Sequence, residues 1–322
     1  MAIENPTVVI LDGYTLNPGD LDWSPITNIV PTNIYEHTTD NEVIKRCKGA
    51  KVIMANKTII DAKTIAALPD LECICVLATG YNNIDLAATN KRGILVCNVS
   101  GYGTPAVAQH VFALLLELTN QVGLHQQSVI DGKWARSRDF SYTEQPMIEL
   151  YGKTMGIYGL GKIGRATAAI ANAFGMQLIA TSRSAPDPET AYIKRVDLET
   201  LFAKSDVLSL HANLSPQNEG LVNAEMLGKM KSSAYLINTG RGGLIVESDL
   251  KFALENHQIA GAGLDVLSVE PPVASNPLIG VKNSIITPHI AWASQAARRR
   301  LMNIAADNLR AFLDGSPQNV VG

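Results

Sequence analysis

Short β-branched runs alternate with helical patterns along almost the whole chain, and this alternation most constrains what it can fold into. Such a pattern reads as βαβ units built around parallel sheets, because parallel neighbours need a crossover between them. A first series predicts strands at 7–11, 33–36, 51–55, 72–77 and 93–97, with helical segments at 40–47, 61–67 and 85–91. A long helix should then open at Thr104, a suitable N-cap. Pro105 follows at the first helical position, where its missing N–H costs nothing. A second series predicts strands at 155–158, 177–181, 207–210, 234–238, 261–265 and 284–287, and a last helix covers 294–313. No fixed-period repeat or low-complexity tract interrupts the pattern.

At 322 residues the chain is about twice the usual single-domain length, so two domains are expected. The final helix has no strand after it. One economical topology returns it to the first sheet, making residues 1–100 plus 291–322 a discontinuous substrate domain. Residues 101–290 would then form an inserted dinucleotide-binding Rossmann domain. The expected fold class is therefore α/β, with two doubly wound parallel-sheet (Rossmann- or flavodoxin-like) domains and an active-site cleft between them. Arg298–Arg300 on the last helix read as a solvated face.

A net charge of -3 offers no field for nucleic acid or an acidic membrane surface, so neither partner is expected. No apolar run reaches the roughly 18 residues of a membrane span. The first residues, MAIENPTVVILDG, carry no export signal, so a cytoplasmic location is expected. The four cysteines, Cys47, Cys73, Cys75 and Cys97, form no C-x-x-C pair and read as buried free thiols, with no metal site expected.

Gly159, Gly161 and Gly164 form G-x-G-x-x-G directly after a predicted strand and at the start of an Ala-rich helix. In that context the first glycine allows the tight turn and the second lets the backbone approach a pyrophosphate. The third lets helix and strand pack closely. The next strand ends Thr181-Ser182-Arg183-Ser184. An NAD-preferring site usually has a carboxylate there for the ribose 2′-OH. A guanidinium flanked by hydroxyls suits a 2′-phosphate better. The reading favours NADP(H) and leaves NAD(H) open. Cofactor contacts are expected at Thr104, Gly159, Gly161, Lys162, Ile163, Gly164, Ser182, Arg183, Ser184, Asn213, Thr239 and Asp265.

Four further segments place polar residues just after predicted strands, at 210–215, 238–243, 264–272 and 287–291. Ligands of open α/β sheets bind outside the carboxyl ends of strands, so these loops should converge. Reduction of a 2-keto acid needs a fixed cation for the carboxylate, a proton donor at the carbonyl oxygen and a hydride. Arg241 can be the cation and His289 the donor, with Glu270 orienting the ring. His37, His110, His125 and His257 read as structural, and His211 as either structural or a cofactor contact.

Gly159–Gly164, Asn238–Gly242, Asp265–Pro271 and Pro288–His289 together resemble the D-isomer-specific 2-hydroxyacid dehydrogenases. The similarity extends over essentially the whole chain, since Leu77–Asp85 is similar to the family's substrate-domain segment. The resemblance implies that Arg241 binds substrate, that Glu270 is the carboxylate partner and that His289 is the acid/base. It also implies that backbone amides of Thr79 and Gly80 hold the substrate carboxylate, and that the protein is a homodimer. The segments Asp12–Trp23 and His289–Ser294 resemble the glycerate dehydrogenase (hydroxypyruvate reductase) branch. The expected activity is reduction of hydroxypyruvate or glyoxylate, and D-glycerate oxidation in reverse. The alternatives are a phosphoglycerate- or lactate-type dehydrogenase, or a non-catalytic, nucleotide-sensing corepressor-like protein. The aromatic-rich region from Trp134 to Pro146 is a candidate dimer arm.

Overall fold

The computed structural model describes residues 7–183 and 188–322. The chain divides into two compact units, residues 1–103 with 292–322, and residues 104–291.

The first unit begins β1 (Val8–Ile10), α1 (Ser24–Thr27), β2 (Thr32–Ile34), α2 (Val43–Cys47), β3 (Val52–Ala55) and α3 (Ala62–Ala67). It continues β4 (Cys73–Val76), α4 (Leu86–Arg92) and β5 (Leu95–Cys97). Its sheet is parallel, in the order β2-β1-β3-β4-β5. β1, β3 and β4 are buried along their whole length, as continuous apolar strands covered on both faces should be. Val9, Ile53, Ile65, Ile74 and Val96 join in one core cluster. Asp61 and Asp85 accept hydrogen bonds from Thr64 N and Ala88 N, the N-caps that start α3 and α4. All four cysteines are free thiols and buried.

The second unit runs α5 (Thr104–Asn120), α6 (Val122–Ile130), β6 (Thr154–Tyr158), α7 (Lys162–Ala173), β7 (Gln177–Thr181) and β8 (Lys194–Arg195). It continues α8 (Leu198–Lys204), β9 (Val207–Leu210), α9 (Ala224–Lys229), β10 (Tyr235–Asn238), α10 (Glu247–Glu255), β11 (Gly261–Leu264) and β12 (Ser284–Ile286). Its seven strands are ordered β12-β11-β10-β9-β6-β7-β8, every pairing parallel. The order reverses between β6 and β9, and the strand ends on either side of that switch are where ligands bind. α5 and α7 pack on one face of the sheet and α8, α9 and α10 on the other. The sequence pattern predicts six strands here. The seventh, β8, is a two-residue edge strand, too short to show a period of its own.

The chain ends in the first unit with α11 (Gln295–Leu313). Ser294 caps it by accepting from Ala297 N. Its arginines are not the uniformly solvated face that the sequence suggests. Arg298 is buried, with Nη1 and Nη2 each 2.6 Å from the carboxylate oxygens of Asp20. It also donates to the carbonyls of Leu16 and Ala293. Arg300 Nε donates to Tyr102 O at 2.9 Å, and Arg299 alone is exposed without such a bond. The 12–23 loop supplies the anion that makes burial of Arg298 tolerable, and a helical pattern says nothing of a loop so distant in sequence.

Candidate active site

Gly159, which follows β6, has φ +98, and a Cβ there would lie 2.9 Å from Ala212 N. Only glycine fits that turn. At Gly164 a Cβ would come within 2.1 Å of Gly159 O, so α7 lies against the turn. Gly161 caps α7 without a side-chain acceptor, and a Cβ on it would meet nothing within 4 Å. The helix therefore begins without a side-chain cap on its first backbone N–H groups, the arrangement that accepts an anionic ligand. Lys162 is exposed and Ile163 half-buried on this first turn. Beyond β7, Ser182 is half-buried and Arg183 exposed, while Ser184 lies outside the described residues.

On the other side of the switch, the half-buried His211 directly follows β9, with Nε2 2.9 Å from Ser209 Oγ. Burial pushes its imidazole down to about 4, so the ring is neutral at working pH. Asn213 is exposed, and its carbonyl accepts from Asn218 Nδ2. Thr239, after β10, is half-buried, and its hydroxyl is enclosed without a protein hydrogen-bond partner. An enclosed unpaired hydroxyl at one strand end and an uncapped helix terminus after another fit a polar cofactor running along these strand ends. Thr104 is the first residue of α5, and it too is half-buried.

The turn after β10 presents Arg241. Asn238 is fully buried and closes this turn, accepting from Gly240 N and donating to Arg241 O. Arg241 itself is exposed, its Nη1 steadied by Gly240 O at 2.8 Å. A Cβ at Gly242 would lie 1.9 Å from the carbonyl carbon of Leu267. The 241–242 segment is therefore flush against the loop that carries Glu270. Glu247 clamps that loop by accepting from Ser268 N and Asn276 Nδ2.

Glu270 Oε1 accepts from Leu267 N at 3.0 Å, and Oε2 lies 2.6 Å from His289 Nδ1. His289 has φ 55, a left-handed conformation rare for a residue with a Cβ and therefore strained. The surroundings over-determine it. His289 N donates to the carbonyls of Asp265 and Thr287, both at 2.9 Å. The buried Asp265 carboxylate takes hydrogen bonds from Thr287 Oγ1, Ile290 N and Ala291 N, fixing the chain on both sides of the histidine. His110, which reads as merely structural from sequence, reaches this brace from α5. Its Nε2 is 3.0 Å from Thr287 Oγ1 and 3.5 Å from Asp265 Oδ1. Nothing local in the sequence signals it, since the partner lies 177 positions away.

Arg241, Gly242, Glu270 and His289 line one recess of about 180 Å³ together with Leu214, Gly243, Leu267 and Ser268. That volume suits a molecule of a few heavy atoms. It brings together the three residues predicted to carry the chemistry: a fixed cation, and an imidazole tethered through one nitrogen. Thr79 and Gly80 stand at the end of β4 in the first unit. Asn98 Nδ2 donates to Thr79 O at 2.7 Å and Thr79 Oγ1 donates to Val99 O, so that backbone is held.

A doubly wound parallel sheet with an open glycine turn, and a cation with a tethered imidazole among its strand ends, defines a nicotinamide-dependent oxidoreductase. The family model described as D-isomer specific 2-hydroxyacid dehydrogenase, NAD binding domain, matches residues 112–291. The chain belongs to the D-isomer-specific 2-hydroxyacid dehydrogenase family, and it is an NAD(P)-dependent oxidoreductase of 2-hydroxy acids. It is 46% identical over 98% of its length, and 99% of the relative's, to a hydroxypyruvate reductase of Blautia hydrogenotrophica. It is 42% identical to a glycerate dehydrogenase of Methylorubrum extorquens, covering 89% of this chain and 90% of that one. Among solved structures it is similar to an acyclic imino acid reductase in complex with NADPH and D-Arg. The TM-score is 0.83 at 30% identity, with 98% of this chain and 100% of that chain covered. The apo D-lactate dehydrogenase of Escherichia coli gives a TM-score of 0.85 at 26% identity, over 98% of this chain and 99% of that one. Among the described residues no helix is long and apolar enough to cross a membrane.

Proposed function

We propose that the protein reduces hydroxypyruvate, and glyoxylate less well, with NADPH as the preferred donor. The observation that carries the reading is the recess in which Arg241 and the Glu270–His289 pair stand together. The substrate carboxylate is bound by Arg241 in a bidentate, charge-assisted pair. With Nδ1 committed to Glu270, His289 uses Nε2 to donate a proton to the carbonyl oxygen, and takes it back in the oxidative direction. Glu270 keeps the ring in that orientation. A bound nicotinamide supplies the hydride. Asp265 acts by bracing His289 and borders the nicotinamide. The small recess, with no Lys and no Arg other than Arg241 among the described residues that line it, favours a short unphosphorylated acid.

The NADP(H) preference rests on Ser182 and Arg183, where a carboxylate for the ribose hydroxyls is missing. A second element of the reading is a homodimer. α6 buries none of its residues, Val122 and Ile130 are 64% and 66% exposed, and Phe140 is 91% exposed. The 134–146 segment is nevertheless ordered, by Trp134 Nε1 to Phe140 O, by Ser128 Oγ with Tyr142 OH, and by Lys133 with Glu144. An ordered arm with exposed aromatic side chains suits a partner surface. Sedimentation at micromolar concentration should show a dimer; a monomer would remove this element.

The test of the activity is nicotinamide oxidation at 340 nm against hydroxypyruvate, glyoxylate, pyruvate and 3-phosphohydroxypyruvate. Highest kcat/KM on hydroxypyruvate is expected. A higher value on pyruvate or the phosphorylated acid would move the protein to another branch, and no turnover of any acid would remove the enzymatic reading.

A further inference from the structure

Arg195 sits on the edge strand β8, and both its terminal nitrogens, Nη1 and Nη2, are enclosed with no hydrogen-bond partner among the described residues. A guanidinium stays protonated at any working pH. An enclosed cation without an acceptor is among the more costly arrangements a fold can hold, so it points to an anion that is bound in the working state.

Its place in the sheet narrows which anion. Arg195 is the register partner of Ala180 on β7, and paired residues of parallel strands project on the same face. Ala180 is fully buried against Ala168 and Ala171 of α7, so Arg195 belongs to the face that α7 covers. Two residues beyond Ala180, β7 gives way to Ser182 and Arg183. The first turn of α7 adds Arg165, half-buried, with Nε on Leu160 O. Arg165, Arg183 and Arg195 are thus carried by the first turn of α7, the segment after β7 and the strand β8 that pairs with β7. Glu189, 88% exposed, lies 3.7 Å from Arg165 Nη1.

We infer that Arg195 is a second cation for the 2′-phosphate of NADP(H), standing behind Arg183 on the α7 face. The pyrophosphate has its own place at Gly159–Gly164, and the two ribose hydroxyls of NAD(H) need no cation. Only a 2′-phosphate adds charge at this corner, and its oxygens accept without donating, as an unpaired guanidinium requires. The inference rests on the NADP(H) reading above and adds to it a residue that the strand-end motif does not contain.

The experiment measures Kd for NADPH, NADH, 2′,5′-ADP and 5′-AMP by titration calorimetry, on wild type, Arg195→Lys, Arg195→Gln and Arg195→Met. Loss of one charged hydrogen-bonding partner should weaken NADPH and 2′,5′-ADP about tenfold in the Met and Gln variants. NADH and 5′-AMP should stay within about twofold, and Lys should keep most of the selectivity. Without nucleotide, the Met variant should melt at or above the wild-type temperature, since it removes an uncompensated cation. A purely structural arginine would lower the melting temperature and leave the 2′-phosphate selectivity alone. Unchanged Kd for 2′,5′-ADP in Met and Gln, or equal weakening of all four nucleotides, overturns the role of Arg195. Wild type binding 5′-AMP as tightly as 2′,5′-ADP overturns the NADP(H) reading itself, a different and separately visible failure.

Discussion

The two parallel sheets solve the end of their first strand in opposite ways. After β1, Asp12 turns a buried carboxylate onto the segment after β3. It accepts from the amides of Asn56, Lys57 and Thr58 and from the Thr58 hydroxyl. After β6, the same kind of corner is built from glycine, and the N–H groups at the start of α7 have no side-chain acceptor. One unit satisfies its strand-end amides internally and the other leaves them for an anionic ligand. Sharing a parallel α/β architecture thus says little about which unit binds a nucleotide; the loop that follows the first strand bears on it.

Breaking either corner should separate folding from binding. Gly164→Ala drives a methyl group into Gly159 O and should cost cofactor affinity roughly 10²-fold or more. Asp12→Ala leaves three amides without their acceptor and should destabilise the first unit by about 3 kcal/mol, with nucleotide Kd unchanged. Calorimetric binding beside thermal melting checks both, and a nucleotide defect in Asp12→Ala would blur the distinction.

At the adenosine end, Ser182→Asp combined with Arg183→Ala should reverse the cofactor order. The change replaces a cation by an acceptor for ribose hydroxyls. About ten- to a hundredfold of kcat/KM for NADPH over NADH is at stake. Wild-type kcat/KM equal or higher with NADH would mean that Arg183 does not read the 2′-phosphate.

Smaller effects lie in the histidines. Reduction takes a proton from His289 and oxidation returns one, so the two directions should have opposite pH dependence. Glu270→Gln replaces the carboxylate that holds the ring through Nδ1 and should lower kcat/KM about tenfold near neutrality. An unchanged kcat/KM would separate Glu270 from the proton transfer. His211 should affect stability rather than rate. Its folded value, about 4, is lower than in the unfolded chain, where about 6.5 is expected. Unfolding therefore takes up a proton between those values, and stability falls as pH drops from about 6.5 to about 4. His211→Gln should flatten that part of the melting curve, and an identical slope would contradict it.

Much of this was legible from residue order. The strand–glycine–helix context of Gly159, Gly161 and Gly164 is local, and so are the turns that present Arg241 and Glu270. Strand centres followed from β-branched runs because fully buried parallel strands are continuously apolar. What escaped depends on contacts distant in sequence. Arg298 looked solvated because its partner Asp20 is 278 positions away. His110 and the bracing role of Asp265 emerge only where β11 and β12 pair beside α5. β8 is two residues long, and with it Arg195 had no pattern to mark it.

Arg241→Ala separates a recess in the second unit that carries the substrate chemistry from a glycine turn that carries the cofactor, when kcat/KM on hydroxypyruvate is measured alongside NADPH Kd. Removing the bidentate carboxylate anchor should lower kcat/KM by roughly 10²-fold or more, with Kd for NADPH within about twofold of wild type. Near-normal kcat/KM on every keto acid, or a loss explained wholly by weaker NADPH binding, would contradict it.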